Sequence, residues 1–435
     1  MKCRHCATPM HDTDDVFADL GSAPPSNAFL RAPDLGQPEL HFPLKVLTCP
    51  QCRLVQVDEV QRHEALFSND YVYFSSYSSS WLAHAQRYVD EACERLALGA
   101  QSWVVEVASN DGYLLQYVAQ RGIPCLGIEP TAGTAAVARG KGIETIGEFF
   151  GRDVGRRLRA ERGPADLVLG NNVLAHVPDI NDFVAGLAEL LAPAGTVTVE
   201  FPHLMQLVQQ GQFDTLYHEH FSYLSLHTVQ RIFAAQGLVV WDVQTLPTHG
   251  GSLRVWARHR ADARPVGARV AELLRAEVAA GMRQPAFYRS LQARADRIKN
   301  DLLAFLIDQK RAGKTVAAYG AAAKGNTLLN YAGVRPDLLP FVVDASIHKQ
   351  GRWLPGSRIP VVGEAMLRDT RPDLVLILPW NLRDEIGAQL AYVCAWGGRL
   401  VTAVPDLQVS DGGASWQPLS HHCLPLYLPH CHSQP

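Results

Sequence analysis

WVVEVAS (Trp103–Ser109), CLGIEP (Cys125–Pro130), DLVLGNN (Asp166–Asn172) and TVTVEFP (Thr196–Pro202) recur down the middle of the chain, each followed by a stretch of helical character. Short apolar runs bounded by turn residues read as strands buried on both faces. Strands that alternate with helices imply a parallel, doubly wound sheet, and ligands of such a sheet bind outside the carboxyl ends of its strands. Around Leu238–His259, two strands joined by a Pro/Gly turn predict an antiparallel hairpin closing one edge.

A second strand–helix array begins at KTVAAYGAAAKGNTLLNY (Lys314–Tyr331). It continues through PFVVDASIHKQGRWLPG and DLVLILPWNLRDEI to GGRLVTAVPDLQV, which ends at Val409. The expected fold class is therefore α/β, with two Rossmann-like units. Residues 69–265 form the central domain and 313–410 the second. Residues 266–312 connect them as helices that break near Gly281 and restart at Pro285. Residues 411–435 are expected to be a disordered tail.

Residues 1–68 make a separate unit. Two CxxC pairs, Cys3/Cys6 and Cys49/Cys52, can supply four thiolates to one tetrahedral Zn²⁺, and the metal substitutes for a core this segment is too small to build. A redox CxxC is the competing reading. Four sulfur ligands leave no open position, so zinc held there is structural. The other five cysteines are scattered among 435 residues, which is no disulfide scaffold.

The formal net charge is −3 and no block of Lys or Arg occurs, which argues against a nucleic-acid partner. No apolar run approaches the roughly 20 residues of a membrane span, and MKCRHC does not read as a signal peptide. The expectation is a cytoplasmic protein without a membrane partner, monomeric or weakly dimeric.

VVEVASNDGYLLQ (Val104–Gln116) occupies the place of a glycine-rich first turn, but Ala108 and Asn110 stand where glycines would be and only Gly112 remains. The next strand ends at Glu129, where an acid can accept both hydroxyls of a ribose. A nicotinamide cofactor would need the same acid, though a bound pyrophosphate also needs the missing glycines. GNNVLAHVPDINDF (Gly170–Phe183) resembles the segment after the fourth strand of class I S-adenosylmethionine (SAM)-dependent methyltransferases. That resemblance makes SAM the expected cofactor, with Glu106, Ala108, Asn110, Asp111, Glu129, Asn171 and Asn172 as its candidate contacts.

Tyr217-His218-Glu219-His220 packs two imidazoles, a carboxylate and a phenol into four residues. On a helical turn Tyr217 and His220 would share a face. A base beside a phenol and a carboxylate can take a proton from carbon and stabilise the enolate, while a satisfied core cluster is the bland alternative.

Taken in order, the two CxxC pairs, SNDGYLL, GIEP, NNVLAHV, EFPHL, YHEHFSYLS, HGGSLRV, YGAAAKGN and PWN resemble the zinc-containing sugar C-methyltransferases of antibiotic deoxysugar pathways, of the D-tetronitrose C-3′ type. The resemblance runs from Cys3 to about Val409. It implies methyl transfer to C-3, next to the keto group of a nucleotide-linked 4-keto-6-deoxyhexose, with dTDP as the family's habitual nucleotide. By the same resemblance His220 is the base, Tyr217 and Glu219 position it or bind sugar oxygens, His176 sits beside the methyl donor, and Tyr71 closes over the sugar. In the second array Lys324 and Asn326 would meet the diphosphate at a helix N-terminus, while Tyr319, Asp344, Trp380 and Asn381 would line the nucleotide site. HGGSLRV would bring Arg254 or His249 near the sugar. The alternatives are oxygen or nitrogen methylation of a sugar nucleotide, a zinc-ribbon methyltransferase acting on a macromolecule, and a non-catalytic sugar-nucleotide binder.

Overall fold

The structure is a computed structural model that describes residues 1–58, 74–410 and 415–418. Tyr71 lies outside the described residues, as does most of the expected tail. β1 (Val16–Ala23), β2 (Phe42–Thr48) and β3 (Val55–Val57) follow one another as antiparallel neighbours. A fourth strand, β9 (Ser222–Tyr223), comes from the central domain and pairs Val55 with Tyr223 and Gln56 with Ser222. The first sheet is thus completed by the two residues that begin just past His220 and Phe221.

The central sheet contains β4 (Val104–Val107), β5 (Cys125–Ile128), β6 (Thr145–Ile146), β7 (Ala165–Asn171), β8 (Leu191–Pro202), β10 (Leu238–Leu246) and β11 (Ser252–His259). Their order is β10-β11-β8-β7-β4-β5-β6, parallel from β8 to β6 and closed by the antiparallel β10–β11 pair. The helices between them start where short polar side chains can satisfy their first amides. Ser78 accepts the Trp81 N–H at 3.2 Å, Asp179 that of Asp182 at 2.9 Å, and Ser225 that of Thr228 at 3.1 Å. Helices Arg152–Arg162 and Ile180–Leu190 meet through Gly155, where an added Cβ would lie 2.4 Å from the Gly186 carbonyl oxygen.

The third sheet holds β12 (Val316–Tyr319), β13 (Val342–Val343), β14 (Val361–Val362), β15 (Leu374–Ile377), β16 (Arg399–Thr402), β17 (Gln408–Ser410) and β18 (Trp416–Pro418). β14-β13-β12-β15-β16 run parallel, and β17 and β18 add antiparallel. Residues 416–418 fall within the stretch expected to be disordered, but their ladder to Gln408–Ser410 orders them. Helices Ala268–Ala279 and Pro285–Arg311 join the two Rossmann-like units.

The apolar packing crosses these divisions. One cluster runs from Phe17 and Val46 of the first sheet through Leu204 and Phe213 to Leu328 and Leu376 of the third. Another joins Cys3, Cys49 and Leu54 to Val105, Val168 and Val197 of the central sheet. Continuous burial of this kind fixes the sheets relative to one another, because interiors pack at crystal-like density. No helix among the described residues is long and apolar enough to cross a membrane.

Candidate active site

The sulfurs of Cys3, Cys6, Cys49 and Cys52 lie within 4.8 Å of one another, with Cys3–Cys52 and Cys6–Cys49 each 3.5 Å apart. Tetrahedral zinc with Zn–S bonds near 2.3 Å requires S–S edges of about 3.8 Å, so the four thiols fit the metal. The Cys52 N–H donates to Cys49 Sγ and Gln56 Nε2 to Cys3 Sγ, both at 3.4 Å, as thiolates need. With all four positions filled, the site is a structural zinc centre.

A cavity of about 1150 Å³ is lined by loops that follow β4, β5 and β7 of the central sheet and β12 and β15 of the third. Both parallel sheets therefore present their carboxyl ends to the same space. Ala108, Asn110, Asn172 and His249 all line it, and all four hold a left-handed φ of 50–57°. The first turn has kept the backbone path of a glycine loop after losing two of its glycines. Such strain persists where surrounding structure enforces it, commonly at functional sites.

Glu129 aims its carboxylate with three donors: Oε2 accepts the Asn110 N–H at 2.9 Å, and Oε1 accepts the Thr131 N–H at 2.9 Å together with the Thr131 hydroxyl. Burial raises its pKa and these hydrogen bonds oppose the rise. Asn171 lines the cavity with both side-chain polar atoms buried and without a protein partner among the described residues. Buried amides are seldom left unpaired, so this end of the cavity fits a polar ligand such as the amino-acid part of SAM. Two expected contacts sit behind the wall instead. Glu106 is wholly buried and pushed well above the ordinary carboxylate range by burial and then by the Asp111 and Glu129 charges. Asp111 is tied to Ser76 and, at 3.3 Å, to Lys141.

Tyr217–His220 forms a tight turn rather than a helical one, closed by the His220 N–H on the Tyr217 carbonyl at 2.9 Å. The i, i+3 spacing still brings the two side chains together, with Tyr217 Oη 2.7 Å from His220 Nε2. The other ring nitrogen, Nδ1, lies 2.9 Å from the Thr215 carbonyl, which can only accept. Nδ1 therefore carries the proton, and Nε2 is the basic nitrogen receiving the tyrosine O–H. His176, ending the single turn Leu174–His176 after β7, donates Nδ1–H to the Glu219 carbonyl at 2.8 Å, and its ring meets that of His220 edge-on at 4.6 Å.

Burial lowers the pKa of His176 to about 4. His220 falls well below the ordinary imidazole value, through burial and then the charge of His176. Glu219 moves the other way, to about 7, because burial outweighs its two bonds from Asn27, one from the backbone N–H at 3.2 Å and one from Nδ2. The histidines are thus neutral at neutral pH.

Of the residues expected to hold the nucleotide, Lys324 and Asn381 line the cavity, 3.3 Å apart. Four others do not. The Tyr319 side chain packs against Leu367 and Ile377, on the face of β12 that strand alternation turns inward. Asn326 donates to the Ser26 carbonyl at 2.6 Å. Asp344 accepts the amides of Ala321 and Ser346, both at 2.8 Å, and fixes that turn. Trp380 lies beneath Lys324, ring centre 5.0 Å from Nζ, and donates Nε1–H to Asp214 at 2.7 Å. Arg254 is also withdrawn from the cavity: its guanidinium bonds Glu200 at 2.8 Å and covers the Tyr88 ring. The Glu200 carboxylate in turn holds His84, which does line the cavity.

Among the lining residues that the sequence analysis did not single out, two stand at the Tyr217–His220 turn. Asn27 reaches in from the zinc-binding unit. Thr215 Oγ1 is buried there without a partner among the described residues. Asn27 follows Pro24-Pro25, whose fixed φ sets a rigid turn, and that was its only signal. Thr215 had none.

Family models match the chain in three consecutive parts: "Putative zinc binding domain" at residues 3–67, "Methyltransferase domain" at 81–243 and "C-methyltransferase C-terminal domain" at 247–405. C-methyltransferase NovU of Streptomyces niveus is 36% identical over 408 residues, covering 94% of this chain and 96% of that protein. Among solved structures, the SAM-bound magnesium protoporphyrin IX methyltransferase of Synechocystis PCC 6803 is 14% identical, covering 46% of this chain and 99% of that one at a TM-score of 0.33. The PH0226 protein of Pyrococcus horikoshii OT3 is 13% identical, covering 43% and 95% at a TM-score of 0.36. The likeness to NovU over nearly all of both chains, with three family models in the same order, shows that the protein belongs to the C-methyltransferase family and is a SAM-dependent enzyme that methylates carbon.

Proposed function

We propose that the methyl acceptor is C-3 of a nucleotide-linked 4-keto-6-deoxyhexose, made nucleophilic by removal of its proton to give an enolate. The observation that carries this reading is the Tyr217–His220 pair, a neutral imidazole whose basic nitrogen is engaged by a phenol at the wall of a large cavity. A carbon acid beside a ketone needs both a base for its proton and a donor for the oxyanion. The one in-plane lone pair of His220 Nε2 is already occupied by the Tyr217 hydroxyl. Proton transfer therefore runs as a relay: the ring C–H gives its proton to the Tyr217 oxygen as the phenolic proton passes to His220. The bond pair left on carbon becomes the C=C of the enolate, and the carbonyl π pair moves to oxygen. Negative charge formed beside His220 offsets the burial that disfavours its imidazolium.

Bound SAM supplies the methyl group as an electrophile on a cationic sulfur, which keeps the electron pair of the broken bond. Glu129 holds the ribose hydroxyls, Asn110, Asn171 and Asn172 hold the polar end of the cofactor, and His176 fixes the Glu219 backbone beside it. The Glu219 carboxylate binds a sugar hydroxyl.

The test is incubation with dTDP-4-keto-6-deoxyglucose in D₂O without SAM, followed by mass spectrometry of the recovered sugar. Deuterium entering the ring carbon beside the ketone is expected, and with SAM a mass gain of one methyl on carbon. A product methylated on oxygen, with no exchange beforehand, would remove the enolate.

A further inference from the structure

Lys324 is a cation whose surroundings the diphosphate role does not explain. It opens the helix Ala323–Ala332, and its side chain turns into the cavity rather than toward solvent, so the surface it keeps is cavity surface. Nζ lies 3.3 Å from the His249 carbonyl and 3.3 Å from Asn381 Oδ1, over the Trp380 ring. No carboxylate among the described residues comes within ion-pair distance of it. Burial lowers the pKa of Lys324, and the charge of Asp214, an acid turned to Trp380 Nε1, opposes the fall. Its own charge is close enough to His220 and His249 to depress both imidazoles.

The other cations lining the cavity have different settings. Arg87 is exposed on the helix Ser79–Leu96, and Lys349 is paired with Asp344 at 3.5 Å while donating to the Ala321 carbonyl at 2.9 Å. A diphosphate, strongly hydrated and leading out to its nucleoside, is served by such cations, one exposed and the other already paired. A cation on the wall of the cavity that also holds the proton acceptor, with the positive end of a helix behind it, is placed for an anion that forms only during reaction.

We propose that Lys324 is a catalytic residue that neutralises the enolate oxygen, its ammonium donating to the C-4 oxygen as the carbonyl π pair moves there. The role rests on the enolate reading above. It gives the relay its counterpart: Tyr217 and His220 take the proton from C-3 while Lys324 receives the charge on the adjacent oxygen. Trp380, held by Asp214, lies under the lysine ammonium. Gly250 keeps the junction closed, since an added Cβ there would lie 2.6 Å from the Trp380 ring.

The experiment compares the wild-type enzyme with Lys324→Met and Lys324→Arg. The readouts are SAM-free deuterium exchange on dTDP-4-keto-6-deoxyglucose and calorimetric affinity for dTDP and for that sugar nucleotide. Removing one oxyanion donor commonly costs about 10²–10³ in rate, so Lys324→Met should lose exchange on that order, with both affinities within about threefold of wild type and partial recovery in Lys324→Arg. Exchange preserved in Lys324→Met overturns the proposal. So does a tenfold or greater loss of dTDP affinity, which would make Lys324 a phosphate ligand. A wild-type enzyme that binds the probe without exchanging its ring hydrogen removes the enolate reading, and this role with it.

Discussion

Asn27 donates to both oxygens of Glu219, one bond from its backbone N–H and one from its side-chain amide. The acceptor belongs to the turn that carries Tyr217 and His220, and the donor belongs to the unit that binds zinc. A residue outside the methyltransferase fold therefore sets the orientation of a carboxylate inside its cavity. Asn27→Ala leaves one donor of two and a carboxylate free to turn. Turnover should drop by about tenfold, the cost of a lost charge-assisted hydrogen bond, while S-adenosylhomocysteine affinity stays within about twofold. Steady-state kinetics and calorimetry on the same preparations decide it, and weakened cofactor binding would mean that Asn27 acts on the fold.

Replacing either member of the Tyr217–His220 pair probes the relay. His220→Asn should abolish deuterium exchange and turnover with cofactor affinity nearly intact. Tyr217→Phe separates two roles: a tyrosine that only aims the imidazole costs about tenfold, whereas one that carries the proton costs on the order of 10²–10⁴, the range of general acid–base catalysis. A Tyr217→Phe enzyme that still exchanges at near wild-type rate would leave His220 taking the proton directly.

The acid–base profile should lack the usual histidine step. His176 is lowered to about 4 and His220 well below the ordinary imidazole value, so both imidazoles are already neutral at pH 6. The rate should therefore not rise through pH 6.5 on their account, and a titration of kcat/KM from pH 5 to 8 reads this directly. Asp214, raised to about 6, and Glu219, raised to about 7, titrate within that window. Glu219→Gln should remove the step that Glu219 produces.

Glu219 also links pH to stability. Its folded pKa of about 7 lies above the ordinary 4.5, so the fold holds the proton more tightly than the unfolded chain. The associated stability is fully present below pH 4.5 and is lost as pH rises through about 7, amounting to about 3 kcal/mol at most. His176 has the opposite sign: its contribution is present above pH 6.5 and is lost as pH falls through about 4. Thermal melts should show wild type losing stability relative to Glu219→Gln between pH 5 and 8. Parallel curves would mean that Glu219 is solvated in solution.

Zinc should be measurable at one ion per chain. Cys49→Ser, or chelation, should speed amide hydrogen exchange across Val55–Val57 and Phe221–Ser225 well before it reaches Val104–Val107, because β9 pairs with β3 at the edge of the zinc-binding unit's sheet. Turnover should fall in step with zinc content. Uniform loss of protection would place the metal in the stability of the whole molecule.

The parallel strands were legible because burial on both faces writes unbroken apolar runs, and Glu129 followed from its place at a strand end. The loss of glycines at Ala108 and Asn110 was legible too, but not that both would keep a left-handed backbone, which only the surrounding packing enforces. Tyr217 and His220 meet as the spacing foretold, through a turn in place of a helix. Arg254, Asn326, Asp344 and Trp380 went astray for a shared reason: a polar side chain near a strand end serves equally well to fix a turn or pair a buried charge, and sequence does not say which. Asn27 was hidden because its partner lies 192 residues away.

The pairing of Ser222 and Tyr223 with Val55 and Gln56 has a consequence for biosynthesis. An N-terminal segment that leaves the ribosome early must wait for most of the following domain to be translated before its last strand arrives. The metal can gather the cysteines meanwhile, and the sheet closes only when the strand that follows the Tyr217–His220 turn docks.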